Sequence, residues 1–121
     1  PSIDFNLLLH SFRPCGSDTH VVFTIQNTGG SIFQTGHIYV QDLTTLTDVY
    51  GPLLDRHPFA PGASDCPPGH GNRLDPGTAA YIIAPISSVP SGDSGRGTIK
   101  LCTGDYLAGD CITKTIDFKF P

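Results

Sequence analysis

Glutamate, methionine and tryptophan are absent from this chain of 121 residues, and all eleven acidic side chains are Asp. With no Glu or Met and little Ala, three of the strong helix formers are missing or scarce, so long helices have little to start from. Basic residues are few: Arg13, Arg56, Arg73, Arg96, Lys100, Lys114 and Lys119 form no run or stripe, against a formal net charge of −4. That scatter argues against nucleic acid or an anionic lipid surface as partner. No window approaches the roughly eighteen apolar residues of a membrane span, and no membrane insertion is expected. A leader peptide is missing as well. The chain opens at Pro1 without a Met, which suggests a processed product or a piece excised from a longer protein.

Also lacking is any Cys-x-x-Cys spacing among Cys15, Cys66, Cys102 and Cys111. In a small, loop-rich chain this favours disulfides over a zinc site, and with them an oxidising location, extracellular or at the cell surface. What is present suits strands. Thr, Ile, Val, Phe and Tyr recur between 14 Gly and 11 Pro, the composition of short strands joined by many turns in a single all-β domain over residues 1–121.

The clearest unit is a C-terminal hairpin, a strand over 98–102 and a strand over 111–120 joined by the loop Thr103 to Asp110. Ile99 and Leu101 fall on odd positions, Ile112, Ile116, Phe118 and Phe120 on even ones. Pairing Cys102 with Cys111 puts Leu101 opposite Ile112 and Ile99 opposite Lys114, so the apolar residues share one face and both cysteines lie on the other. Four cysteines allow three connectivities; this register selects Cys102–Cys111 and leaves Cys15–Cys66.

Upstream, Ile3, Phe5, Leu7 and Leu9 alternate with polar residues up to a stop at Arg13-Pro14-Cys15-Gly16, with Leu8 interrupting the polar face. Val21, Phe23 and Ile25 make a second strand, ending at Asn27-Thr28-Gly29-Gly30. A third, about 33–43, carries Ile38 and Val40 on one face and Tyr39 and Gln41 on the other, and Gly36 inside it suggests a bulge. From about 44 to 77 the pattern dissolves into a Pro-rich insertion in which only Leu46 to Tyr50 suits a short edge strand, and Phe59 with Leu53 and Leu54 is expected to plug one end of the sandwich. Leu74-Asp75-Pro76-Gly77-Thr78 then launches a strand through Tyr81, Ile82, Ile83 and Ile86, and Ser87 to Gly97 links it to the hairpin. The expected fold is all-β, an Ig-like antiparallel β-sandwich of about seven strands with a long Pro-rich insertion and two disulfides.

Two short motifs carry a resemblance. Thr24-Ile25-Gln26-Asn27-Thr28-Gly29, closing the second strand, and Leu74-x-Pro76-Gly77-Thr78, opening a later one, resemble the N-x-G and L-x-P-G turns of the bacterial Ig-like modules of the cell-adhesion-related, CARDB-type group. The resemblance implies an extracellular, modular, non-catalytic role in adhesion or in spacing other domains.

Candidate chemistry is thin. Gly92-Asp93-Ser94-Gly95 matches the core of the trypsin-like nucleophile motif, but the chain is too short for that double barrel and has no Ala-Ala-His-Cys partner, so the tetrapeptide reads as a loop. His10, His20 and His37 fall on polar phases, where neighbouring strands would have to bring them together for a metal. His57 and His70 have no short-spaced partner. Asp105, Asp110 and Thr103 offer oxygens around Tyr106 without an EF-hand pattern, and turn formation accounts for them. Tyr39, Tyr50, Tyr81 and Tyr106 make a weak sugar-stacking set. No enzyme activity, cofactor or metal is expected. The candidate interaction surface is Leu53, Leu54, Phe59 and His70 of the insertion with Tyr106 of the hairpin tip, and the expected partners are other protein domains or copies of the same chain. Two alternatives stand beside this: a filament built by strand addition through Ile3 to Leu9 and Ile116 to Phe120, and glycan binding through the tyrosines and the Asp-rich tip.

Overall fold

A computed structural model describes residues 2–121. Seven strands form two antiparallel sheets: β1 (Phe5–Cys15), β2 (Asp18–Asn27) and β5 (Ala79–Ile86) in the order β1-β2-β5, and β3 (Thr35–Asp42), β4 (Thr47–Asp55), β6 (Ser94–Cys102) and β7 (Cys111–Lys119) in the order β4-β3-β6-β7. This is the expected sandwich, and both expected disulfides, Cys15–Cys66 and Cys102–Cys111, are closed. The C-terminal hairpin has the register derived from its alternation: Cys102 faces Cys111, Leu101 faces Ile112 and Ile99 faces Lys114.

One core lies between the sheets, built on Phe5, Phe23, Ile25, Ile38, Val40, Ile82, Ile99 and Leu101. Each such side chain contributes about 2–3 kcal/mol by leaving water. Gly16 and Ser17 join β1 to β2 as a two-residue hairpin with Gly16 at φ +61, the II′ geometry that needs Gly first. β1 runs further than its first alternation suggests because its register shifts between Leu9 and Ser11. The extra residue, His10, reverses the phase, so the inward set changes from Phe5, Leu7 and Leu9 to Phe12, whose ring packs on Phe118 (5.8 Å) and Phe120 (6.0 Å).

Several boundaries differ from the sequence reading. β6 starts at Ser94 rather than Thr98, because Gly95 and Gly97 leave space for rings: a Cβ on Gly97 would sit 2.6 Å from Phe23 Cζ, and one on Gly95 2.6 Å from Phe120 Cε2. Phe33 stands outside β3 and instead bridges Leu74. Gly36 makes no bulge; it sits in regular register opposite Leu101, where a side chain would press on Leu101 and Pro58 at 3.3 Å. The bulge lies further on, where the register slips between Ile38 and Val40, and Gly51 (φ +72) and Pro52 both stand opposite Tyr39. An edge strand tolerates such a proline, and β4 therefore continues to Asp55 instead of stopping at Tyr50. In consequence Leu53 and Leu54 lie on β4, 45% and 38% exposed, and only Phe59 (3%) enters the core.

The stretch from Arg56 to Thr78 is the irregular part, and it forms a partial third layer. Ala60 pairs with Tyr81 at the free edge of β5, whereas Cys66 is bonded to Cys15 on β1, at the far edge of the same sheet. Between those anchors the chain crosses the outer face of β2. Val22 and His20, which alternate away from the core, are accordingly 0% and 4% exposed. The clasp closes a loop of 51 residues. Replacing both Cys15 and Cys66 by Ser is expected to lower the unfolding free energy by about 4 kcal/mol in denaturant titration and to raise amide exchange at Val22; a loss below about 1 kcal/mol would show that the layer holds without its clasp.

Candidate functional site

The residues singled out in the sequence fall into separate places. Leu53 stands opposite Ile38 at the margin of the core face, Leu54 opposite His37 on the outer face. Phe59 is buried and therefore belongs to the core rather than to a contact surface, held there by its backbone bridge to Gly71. His70 is exposed and lines the rim of a cavity with Phe59 and Leu74. Tyr106 projects from the hairpin tip, 64% exposed.

The tip is held firmly. Asp105–Leu107 make a single 3₁₀ turn in which both Tyr106 (φ +53) and Leu107 (φ +60) take the left-handed conformation, a cost of order 1–3 kcal/mol each that surrounding contacts must offset. Those contacts come from elsewhere in the chain. The Thr35 hydroxyl donates to the Gly104 carbonyl (2.7 Å) and accepts from the Leu107 N–H (3.2 Å). Arg56 donates twice to Asp105, from Nε at 3.1 Å and Nη2 at 2.6 Å, and lies over the Tyr106 ring at 4.2 Å. Hydrogen bonding to this guanidinium is the main reason that the Asp105 carboxyl titrates below its ordinary range. Arg56 and Thr35 carry no motif. They are 49 and 72 residues from their tip partners, and only the fold brings them there.

Asp105 is thus engaged by Arg56, and the Thr103 hydroxyl accepts from the Asp110 N–H at 3.0 Å. Among the described residues no three His, Cys or Asp side chains are grouped to hold a metal. The three polar-phase histidines do not converge: His10 packs against Tyr81 at 5.2 Å, His20 is buried in the same sheet, and His37 is on the other. Nor do the tyrosines form a platform. Tyr39 donates to Asp48 on the four-stranded sheet, Tyr50 lies beside the core, Tyr81 belongs to the three-stranded sheet and Tyr106 to the tip. Ser94 of the protease-like tetrapeptide opens β6, its N–H bonded to the Thr44 hydroxyl at 3.0 Å.

Two polar constellations were not foreseen. The first joins the two sequence motifs. The Asn27 side-chain amide donates to the carbonyls of Ser31 (2.8 Å) and Leu74 (3.0 Å), while its oxygen accepts from the Gly29 N–H (3.1 Å). Its backbone receives Gly77 N–H and gives its own N–H to Thr78, both at 2.9 Å. Asn27-x-Gly29 and Leu74-x-Pro76-Gly77-Thr78 are therefore one clamp, and Gly29 is required because a Cβ there would meet the Asp4 nitrogen at 2.7 Å.

The second is a pair of carboxyls at the other end of the sandwich. Asp42, 3% exposed, accepts from the N–H groups of Thr44 (2.9 Å) and Thr45 (3.3 Å) and lies beside the Asp93 carboxyl, which can donate to it when protonated. The bond to Asp42 raises the Asp93 pKa; Asp42 itself is lowered, the bonds to Asp93 and to Thr45 and Thr44 outweighing the opposing effect of burial. When both are ionised the two negative charges repel.

Compared with known proteins, the chain matches no family model and no curated protein. Among solved structures it is similar to β-glucosidase 3B from Thermotoga neapolitana, at 14% identity over 97% of this chain and 17% of that one, with a TM-score of 0.38 for the complex with α-D-glucose and 0.34 for the complex with glycerol. The chain spans about a sixth of that enzyme's length, and a likeness at this TM-score carries no inference about activity.

The two constellations give two expectations. Asn27→Ala leaves the carbonyls of Leu74 and Ser31 without their donor and should cost about 3 kcal/mol in chemical denaturation, whereas Thr28→Ala at the exposed neighbour should cost less than about 0.5 kcal/mol. For the carboxyl pair the sign follows from the shifts. Asp93, raised, stabilises the fold below its unfolded pKa and loses that contribution as pH rises through its folded value; Asp42, lowered, contributes above its unfolded pKa and loses it as pH falls through the folded one. Asp93→Asn keeps a donor toward Asp42 and removes the repulsion. Its urea midpoint should exceed that of the parent at about pH 7 and match it at about pH 3; equal midpoints at both would show that the pair is uncoupled.

Proposed function

We propose that the protein is an extracellular, non-catalytic Ig-like module that works through protein–protein contact, in adhesion or in joining other domains. The observation that carries this is the placement of its exposed apolar side chains. Of the five large exposed hydrophobics among the described residues, Leu46, Leu53, Leu54 and Tyr106 lie along β4, the turn into it, and the tip against its end, and Leu8 is elsewhere. Exposed apolar side chains spaced along one edge, Leu53 and Leu54 on its two faces and Tyr106 pinned by Arg56 at its end, have the composition of a contact surface. Two disulfides support an oxidising, extracellular setting. The Asn27 clamp supports kinship with the CARDB-type group, since it gives that pair of motifs a joint structural role.

Assembly into a filament through the terminal strands has less support. Phe5 of β1 and Phe120 beyond β7 are both buried in the core of their own chain, so their donation to a neighbour would open that core.

The apolar strip should show itself as weak association even when the natural partner is a different domain. Light scattering on unreduced protein is expected to give a mass rising above 12.9 kDa toward millimolar concentration, and the triple variant Leu53→Asp, Leu54→Asp, Tyr106→Ala is expected to stay monomeric with an unchanged melting temperature. If parent and variant scatter alike, β4 and the tip are not the working surface.

A further inference from the structure

The Leu74–Thr78 turn, the 59–61 ribbon and the first residues of β5 line an open cavity of about 400 Å³, within the size range of small-ligand clefts. Phe59, Leu74 and Ala80 form its apolar floor, and Arg73, Asp75 and Thr78 its rim. One wall is unfinished sheet. Ala60 and Tyr81 exchange both backbone hydrogen bonds, at 2.8 and 2.9 Å, so Tyr81 turns its N–H and C=O away from β2. In an antiparallel ladder that orientation recurs at every second residue. The bond from Asn27 N–H to Thr78 C=O, at 2.9 Å, fixes the same alternation from the other end. Ala79 therefore also directs its N–H and C=O outward, beside the cavity, and among the described residues no loop or turn backbone bonds to them.

A continued ladder would bring residue 62 to that station. Instead the chain leaves at Pro61, which has no N–H to give, and turns so tightly that a Cβ on Gly62 would lie 2.6 Å from Asp65 Oδ2. The place opposite Ala79 is left open.

We infer that this cavity binds an extended peptide segment, which completes the β5 edge by exchanging two backbone hydrogen bonds with Ala79 and seats one small apolar side chain on the Phe59–Leu74–Ala80 floor. The inference deepens the protein-contact reading, from which it takes the partner's class, and adds a second surface. A donor and an acceptor side by side in the plane of a sheet complement a peptide backbone, the basis of recognition by strand addition. The rim agrees: Arg73 and Asp75 are paired with each other at 2.7 Å, which leaves no net charge there and suits a neutral backbone rather than an ion. One open station accommodates about three residues of extended chain.

The test uses the full chain, ¹⁵N-labelled, and a blocked pentapeptide of alternating valine and alanine raised to millimolar concentration. A second peptide is identical except for N-methylation of the residues whose N–H groups would face the sheet. The expected result is a downfield shift of the Ala79 amide together with shifts at Gly71 and Leu74, and affinity at least about tenfold weaker for the N-methylated peptide. Ala79→Pro removes the outward N–H without taking a donor from the ladder to β2, and should abolish the shifts at Gly71 and Leu74. If that variant does not fold, the comparison of the two peptides decides. Absent shifts, or equal shifts from both peptides, would overturn the inference. Shifts confined to Leu53, Leu54 and Tyr106 would overturn it while leaving the protein-contact reading in place.

Discussion

The amide of Asn27 ties together three stretches at one end of the sandwich: the end of β2, the turn after it and the Leu74–Thr78 turn before β5. The residue is fully buried, so nothing but protein can satisfy its two N–H groups or the carbonyls they reach. Neighbouring features follow from that fixed point. Gly29 must lack a side chain because the N-terminal segment passes against it, with the Thr28 and Gly29 N–H groups both on the Asp4 carbonyl at 3.1 and 3.2 Å. Phe33 and Leu74, brought opposite each other, exchange backbone bonds at 3.1 and 2.9 Å and both enter the core. The phase of β5, and hence which of its backbone groups remain open, is set by the same bonds.

At the other end of the sandwich shape complementarity replaces polar bonding. The Phe12, Phe118 and Phe120 rings meet edge-on or tilted, at 5.1 to 6.0 Å, geometries that aromatic pairs favour. Gly95 and Gly97 give the rings of Phe118, Phe120 and Phe23 their space. A glycine inside a strand weakens it locally, and here the loss is offset by seating large rings against the backbone. Phe120 is also latched by its backbone, its N–H on the Asp93 carbonyl at 3.0 Å and its C=O on the Gly92 N–H at 3.1 Å. The Asp42–Asp93 pair thus sits directly on the segment that holds the C-terminal aromatic in place.

How much of this was legible beforehand depended on whether the signal was local. The C-terminal hairpin was readable because alternation on two adjacent strands and two cysteines all have to agree on one register, and a slip by one residue would turn every apolar side chain outward. β5 and the first turns were readable from Pro and Gly at positions that fix backbone angles. The extent of β4 was not, because Gly51-Pro52 signals a break unless the strand is known to be an edge with a bulge to absorb it. His10 likewise reverses the phase of β1 without any residue type that marks a bulge. The candidate surface was legible only in part: Leu53, Leu54 and Tyr106 are exposed, whereas Phe59 is buried by a pairing with Gly71 that no spacing announces. Arg56, which holds Tyr106 in position, was invisible for the same reason.

Both proposed surfaces lie on one flank, and the topology accounts for it. β4 and β5 are the outermost strands on that side of the two sheets and contact each other, and residues 56–60 run directly from one to the other. On the opposite flank β1 contacts β7. There Lys114 reaches Asp4 at 2.9 Å, and charged and hydroxyl side chains at Thr113, Thr115, Asp117 and Lys119 point outward from β7, the kind of polar edge that discourages pairing with another chain. The β4–β5 flank is blunted only in part: β4 has its Gly51-Pro52 bulge, but the strand exposes Leu53 and Leu54, and Ala79 on β5 is left open. An edge that exposes leucines and leaves one backbone station open, opposite one that is polar along its length, would direct association to a single side, and this asymmetry supports the proposed contact surfaces more than any individual residue does.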